Sequence, residues 1–116
     1  MFLLWFFIFL KHFICDFPLQ GPYQFLNKGK YGHPGGILHA SIHFFGMMLI
    51  CIVFRLPVWL AIVDGVVHYN IDYVKARFNA HFNLKPENPQ FWNLFSLDQF
   101  LHMLTYLFIL YIAGLL

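Results

Sequence analysis

The chain has 116 residues, of which 60% are hydrophobic, 22% aromatic and only 10% charged. A water-soluble domain has about a quarter of its residues charged, so most of this surface is not suited to water. The length allows one compact unit, and a net charge of +2 is too small to favour nucleic acid as a partner. The composition therefore predicts a single integral membrane domain.

Four apolar segments are long enough to form transmembrane helices, and Pro, Gly or polar residues separate them. The first segment carries its first basic residue, Lys11, only near its end, which is not the order of a cleaved signal peptide. We predict an all-α integral membrane protein with four transmembrane helices in an antiparallel up-down bundle. The predicted spans cover residues 1–17, 37–56, 57–78 and 97–116, with Pro57 at the first position of the third span.

The polar segments 20–36 and 79–96 are predicted to lie on one side of the membrane, because short connections make neighbouring helices antiparallel. Six of the seven Lys and Arg residues lie on or near that side, and only Arg55 lies opposite. The positive-inside rule then places both loops in the cytoplasm and both termini outside. Within the second loop, residues 91–95 are predicted to form an interfacial segment, and Ser96 to cap the last helix.

Each predicted span carries one pair of ionisable residues with i,i+4 spacing, which places both side chains on one helical face. The pairs end the first and third spans and begin the second and fourth, so all four reach one depth near the cytoplasmic face. Ionisable groups inside a membrane cost about 2.5–3.5 kcal/mol each, and apolar packing does not require them. The pairs are His12/Asp16, His39/His43, His68/Asp72 and Asp98/His102.

Imidazole and carboxylate groups are ordinary metal ligands, and helices that project such i,i+4 pairs inward commonly build two-metal sites in bundles. We therefore predict that these eight residues hold one or two divalent metal ions, zinc first, with iron or manganese as alternatives. For any single pair, a hydrogen bond between helices is an equally good interpretation.

Other polar residues fall around these pairs. Asp64 and Lys75 share the helical face of His68 and Asp72. Cys15 is interpreted as a packing residue, with a ligand role as the less favoured alternative. Gln20 and Gln99 are predicted neutral donors near the site, and Lys28, Lys30 and Lys85 are predicted to contact anionic headgroups.

Four motifs resemble the domain of unknown function family 3307: KHFICDFPLQ at 11–20, HASIH at 39–43, HYNIDYVK at 68–75 and LDQFLH at 97–102. The resemblance covers nearly the whole chain and implies a small bacterial or phage protein of the inner membrane, but it implies no activity. The His/Asp pattern is also loosely similar to membrane-bound metal-dependent hydrolases and to soluble His-Asp phosphohydrolases, in ligand type and helix placement only.

The leading hypothesis is a membrane-embedded, metal-dependent hydrolase that acts on a phospholipid, a lipid phosphate or another amphipathic substrate at the cytoplasmic face. A divalent metal would lower the pKa of a bound water and polarise the substrate. Asp72 or Asp98 would act as the general base, and Lys75 would stabilise the developing negative charge. A domain this small is also expected to self-associate into a homo-oligomer.

Three alternatives stay open at this point. A di-iron membrane oxidase or hydroxylase would also use His pairs, although such enzymes carry closely doubled His boxes that this sequence lacks. An ion or proton conductor, or a phage-type membrane effector that binds a partner, requires no enzyme chemistry. A relay across the membrane is disfavoured because residues 2–10 and 106–116 are nearly free of ionisable groups. A haem-binding bundle would leave four Asp residues unexplained.

Overall fold

The computed structural model describes residues 1–116 and contains α-helices without any β-strand, which confirms the all-α prediction. Two of the helices, α3 and α5, are long and apolar enough to cross a membrane by length and composition. The helices are α1 (Phe2–Asp16), the single-turn α2 (Pro22–Phe25), α3 (Pro34–Val53), α4 (Trp59–His81) and α5 (Pro89–Ile112).

Proline starts two of the long helices earlier than hydropathy predicts. α3 begins at Pro34 and α5 at Pro89, because proline has no N–H to leave unpaired in the first turn. Residues 91–95, which were predicted to form an interfacial segment, lie in the first turns of α5. The predicted cap at Ser96 is wrong, because Ser96 lies inside α5 and its hydroxyl donates to the Trp92 carbonyl oxygen at 2.9 Å. Pro57 does not open the next helix either, as α4 begins at Trp59.

Backbone turns with positive φ close α3 and α4. After α3, Arg55 has φ 57° and the Leu56 N–H donates to the Cys51 carbonyl oxygen at 2.8 Å. After α4, Asn83 has φ 50° in the equivalent position. These are Schellman-type ends, which favour Gly or Asn because a side chain at positive φ crowds the backbone. Of Arg55 and Asn83, Arg55 is the residue less suited to positive φ.

Replacing Arg55 by glycine is expected to raise the free energy of unfolding by about 1 kcal/mol, because glycine removes the Cβ crowding at positive φ. The Arg55 side chain is exposed, so little packing is lost with it. Thermal unfolding in detergent measures the effect. Asn83→Gly serves as the control with a smaller gain, since Asn tolerates this conformation. A lower melting temperature for Arg55→Gly would contradict the interpretation.

The long helices pack in an antiparallel bundle, with α1 on α3, α3 on α4, and α4 on α5, while α2 lies against α3. The interior has two halves. The half nearest the chain termini is apolar, and the half nearest α2 and the α4–α5 loop is polar. The buried apolar side chains are Leu4, Ile8, Met47, Ile50, Cys51, Leu60, Ala61, Ile109 and Leu110, with the ring of Tyr106 at the boundary.

The outside of the bundle is strongly apolar. Large hydrophobic side chains project from every long helix, such as Phe6 and Phe13 on α1, Phe45 on α3 and Phe108 on α5. Soluble monomers rarely expose apolar patches beyond a few hundred Å². Such a surface needs a cover of lipid or of another protein.

Candidate metal centre

The polar half of the interior contains four of the five acidic side chains of the protein and five of its seven histidines. The structure brings together all eight residues of the four i,i+4 pairs, and none of them is more than 7% exposed. Asp64 is the fourth acidic residue, 1% exposed and one turn deeper on α4 than His68. Antiparallel packing of the four long helices is what places these pairs at one level.

Asp16 is the first centre of contacts. Its Oδ1 atom lies 2.8 Å from His43 Nε2 and 3.1 Å from His39 Nε2. Its Oδ2 atom lies 3.0 Å from His12 Nε2. One carboxylate at the end of α1 therefore joins histidines of α1 and α3.

Asp72 on α4 is the second centre, and its two oxygens face different groups. The Oδ2 atom lies 3.1 Å from His68 Nε2 and 3.3 Å from His39 Nε2, and it also pairs with Lys28 at 2.9 Å. The Oδ1 atom faces His102 Nε2 of α5 at 3.2 Å. Asp72 thus connects two neighbouring groups of donor atoms.

Asp98 completes the second group on α5. Its Oδ1 atom lies 3.4 Å from His102 Nε2, and its Oδ2 atom accepts from Lys75 Nζ at 3.1 Å. Possible ligand atoms within 4.8 Å of one another form three sets, of which the first two share His68 and the last two share Asp72. The sets are His12/Asp16/His43/His68, His39/His68/Asp72 and Asp72/Asp98/His102.

The hydrogen-bond partners of His39 assign its tautomer. Gln24 donates its amide N–H to the Leu19 carbonyl oxygen at 2.9 Å, so its Oε1 atom is the group that faces His39 Nδ1 at 3.1 Å. The Nδ1 atom must then carry the proton that Oε1 accepts. The Nε2 atom of His39 faces two carboxylate oxygens, Asp16 Oδ1 at 3.1 Å and Asp72 Oδ2 at 3.3 Å, and lies 3.1 Å from His68 Nε2.

His12 has the opposite assignment. Gln99 donates to Asp98 Oδ2 at 3.1 Å, so the Gln99 oxygen faces His12 Nε2, also at 3.1 Å. His12 Nε2 therefore carries a proton and donates to Gln99 and Asp16. Its Nδ1 atom accepts from the Tyr106 hydroxyl at 2.8 Å.

The contact with Lys11 assigns the tautomer of His43 in the same way. The Lys11 ammonium lies 3.1 Å from His43 Nδ1, and an ammonium group only donates. His43 Nε2 must then carry the proton and donate to Asp16. Histidines that ligate a metal ordinarily give their second N–H to an acceptor, so a cation on Nδ1 argues against a ligand role.

A buried ion pair lies between the cluster and the apolar half of the interior. Lys11 on α1 pairs with Asp64 on α4 and also donates to the Tyr106 hydroxyl at 3.2 Å. Gly46 on α3 leaves room for the aliphatic stem of Lys11, since a Cβ there would lie 3.0 Å from Lys11 Cγ. These residues form the floor of the polar half.

The structure also places three residues that the sequence analysis put around the site, and it corrects the interpretation of one of them, Lys28. Lys28 is 6% exposed and pairs with Asp72, so it is not free to contact headgroups as predicted. Cys15 belongs to none of the ligand sets and packs beside Gly46, in agreement with its packing interpretation. Gln20 donates to the Asp16 carbonyl oxygen at 2.6 Å, which places it at the rim of the site.

Sequence reasoning did not identify Lys11, Gln24 or Tyr106 as part of this cluster. Tyr106 had a usable signal, because it lies four residues after His102 and continues the spacing from Asp98. Lys11 lay on a helix that is apolar all round, so no amphipathic contrast marked its inner face. Gln24 comes from the short α2, whose docking on α3 has no sequence signature.

The fold and the site together define a small all-α protein with buried His and Asp groups that could hold a metal ion. The sequence matches the family described as Protein of unknown function (DUF3307) over residues 4–115, and the chain belongs to this family. The match confirms the family indicated by the four motifs. No curated protein and no solved structure matches the chain.

Proposed function

We propose that this protein is a membrane-embedded, metal-dependent hydrolase of a phospholipid, a lipid phosphate or another amphipathic substrate. The observation that carries the proposal is the triangle of donor atoms formed by His39 Nε2, His68 Nε2 and Asp72 Oδ2. Its sides measure 3.1, 3.3 and 3.1 Å. Bonds of about 2.0–2.1 Å to a tetrahedral zinc ion place ligand atoms about 3.3–3.4 Å apart.

A metal ion would fit this triangle. The His39, His68 and Asp72 side chains are almost fully buried, and imidazole nitrogen and carboxylate oxygen are ordinary zinc ligands. Asp72 Oδ2 also pairs with Lys28 at 2.9 Å, so the ammonium and the metal ion would share this oxygen. Three protein ligands would match catalytic rather than structural zinc sites.

The remaining residues of the cluster have supporting roles in this proposal. His12 and His43 donate to Asp16 and hold its carboxylate beside the triangle, as outer partners of metal ligands commonly do. His68 has no partner on Nδ1 and is held between the rings of His43 and His102, with centroids 3.5 and 4.1 Å away. The set Asp72/Asp98/His102 either holds a second ion or leaves Asp98 as the general base.

The chemistry follows from these positions. His39, His68 and Asp72 would hold a metal ion, which would lower the pKa of a bound water and so supply a nucleophile. Asp98 Oδ1 is buried without a hydrogen-bond donor, which leaves it free to accept a proton as general base. Lys75 lies 3.1 Å from Asp98 and is positioned to stabilise negative charge as the substrate bond breaks.

We also propose that α1 and α4 cross the membrane together with α3 and α5. α4 contains charged residues, but Asp64 and Asp72 face the interior, while the outward side chains Ile62, Val66 and Val74 are apolar. α1 has only 15 residues, near the lower limit for a span, and exposes six Phe or Leu side chains in its first ten residues. The molecule is 43 Å long, close to a bilayer with its headgroups at about 40–45 Å.

The charge distribution supports the predicted orientation in a bacterial inner membrane, with loops 20–36 and 79–96 in the cytoplasm and both termini outside. The metal centre then lies near the cytoplasmic headgroups, within reach of a membrane lipid. The apolar half of the interior closes the opposite side with Leu4, Leu60 and Ile109, each at most 4% exposed. This seal disfavours the alternative of an ion or proton conductor. An iron-dependent oxidase stays the rival that uses the same ligands.

The enzyme activity is tested by following release of inorganic phosphate or fatty acid from lipid phosphate and phospholipid vesicles containing the purified protein. We expect hydrolysis that a chelator abolishes and that zinc restores. Asp98→Asn is expected to lower kcat about 100-fold or more, since general bases contribute about 10²–10⁴-fold. The exposed Glu87→Gln is the matched control and should leave the rate unchanged. Oxygen consumption without hydrolysis would favour the iron oxidase instead.

A further inference from the structure

A groove on the outer surface between α4 and α5 reaches Lys75 and Asp98 at the edge of the polar cluster. Its volume is about 470 Å³, within the range of small-molecule sites. Apolar side chains line most of it, among them Val67, Val74, Leu97 and Leu101. The polar residues Lys75 and Asp98 lie on its wall, so the groove joins an apolar surface to the proposed catalytic residues.

A second cavity of about 360 Å³ also has Lys75 in its wall. Its polar lining includes Asp16, Lys28 and Gln99, and aromatic side chains including Trp92 and Phe95 form much of its wall. Lys75 is the residue common to both, and its ammonium lies 5.5 Å from the centre of the Phe95 ring. Lys28 and Lys75 both line the cavity, each paired with a buried aspartate, and Lys75 is the one that also lines the apolar groove.

We propose that the groove and the cavity together form the binding site of one lipid with a phosphate headgroup. One acyl chain lies in the α4–α5 groove, the headgroup lies in the cavity, and Lys75 contacts the phosphate at the junction. Lysine ammonium groups are common phosphate partners. This inference deepens the proposed function, because it names the substrate class of the same site and depends on the same membrane placement.

The groove differs from an ordinary lipid-exposed surface in its polar end. Lipid chains touch every outward side chain of a membrane protein, but only a site with a fixed headgroup contact holds a chain in one place. Lys75 is held by Asp98 at 3.1 Å, and Gln99 also donates to Asp98, so the ammonium has a defined position. The order of groove, lysine and cavity matches the order of chain, phosphate and headgroup.

The test uses photo-cross-linking in phosphatidylcholine nanodiscs that contain a few per cent of phosphatidic acid with a diazirine on one acyl chain. Mass spectrometry locates the labelled residues after irradiation. We expect several-fold more label on groove residues of α4 and α5 than on Phe6, Phe9 and Phe13 of α1, which are at least 45% exposed. Label spread in proportion to exposure would overturn the proposal.

Variants on both walls of the groove provide a second test. Val74→Trp and Leu101→Trp fill it from α4 and α5, and each should reduce the groove label several-fold. Val53→Trp adds the same ring at an exposed valine near the end of α3 and should leave the label unchanged. If neither filling variant lowers the label while both keep the wild-type melting temperature, the groove is not a chain site.

The headgroup contact is tested with Lys75→Met. This variant should lose label from the phosphatidic acid probe several-fold, whereas a diacylglycerol probe with the same chain, which has no phosphate, should label both proteins equally. Equal loss for both probes would contradict the phosphate contact. Labelling needs no turnover, so it is repeated on chelator-treated protein. If the groove is labelled although the protein shows no hydrolysis, the proposed function fails and this inference stands.

Discussion

Replacing Lys11 by methionine is expected to lower the free energy of unfolding by about 3–5 kcal/mol, the usual cost of removing one partner of a buried ion pair. Lys11 is 7% exposed and Asp64, its partner, is 1% exposed. Methionine fills a similar volume but leaves the Asp64 carboxylate without a counter-charge. His43 and Tyr106 lose a donor at the same time.

A double-mutant cycle separates this effect from lost packing. Asp64→Leu added to Lys11→Met removes the stranded charge and should recover most of the stability. Lys30→Met is the matched control, because Lys30 is exposed and its loss should change the free energy of unfolding by less than about 0.5 kcal/mol. Unfolding in mixed micelles with increasing denaturing detergent is measured for the wild type, the single variants Lys11→Met and Asp64→Leu, the double variant and Lys30→Met. Additive effects of the two substitutions would show that the pair is not coupled.

Asp72→Asn is expected to reduce the affinity for metal by about 100-fold or more. Outer partners of metal ligands alone contribute about 10–100-fold, and Asp72 is proposed as a direct ligand whose second oxygen faces His102 at 3.2 Å. The substitution preserves shape but removes the charge that attracts a cation. It also leaves Lys28 without its partner, so a moderate loss of stability accompanies the loss of metal.

Competition with a chromogenic zinc chelator measures this affinity. Glu87→Gln is again the matched control, because Glu87 is the one acidic residue outside the cluster and is exposed. Hydrolysis by Asp72→Asn should be lost at low zinc concentrations and return in part when zinc is raised. Retention of wild-type affinity would remove Asp72 from the ligand set and with it the proposed triangle.

Helical periodicity was sufficient to predict which His and Asp residues meet. Residues such as His68 and Asp72 share a face through i,i+4 spacing, and the alternating direction of the helices sets their common level. The same reasoning could not assign which ring nitrogen faces which carboxylate. That detail depends on Gln24 and Gln99, whose positions follow from tertiary packing rather than from spacing.

The helix ends show a similar limit. The aromatic segment 91–95 has a composition that suits an interface as well as a helix, so hydropathy alone did not extend α5 back to Pro89. Proline at the first helical position was the stronger signal, as it was for Pro34 in α3. Lys28 was assigned to headgroups because lysines in loops usually are, whereas the fold turns it inward onto Asp72.

The metal content of the purified protein tests the central claim most directly, with His39→Ala and His43→Ala compared by elemental analysis. These histidines lie one turn apart on α3 and are both buried, so they form a matched pair. We predict at least about one zinc ion per wild-type chain, loss of it in His39→Ala, and its retention in His43→Ala. A wild-type protein with far less than one metal ion per chain would contradict it.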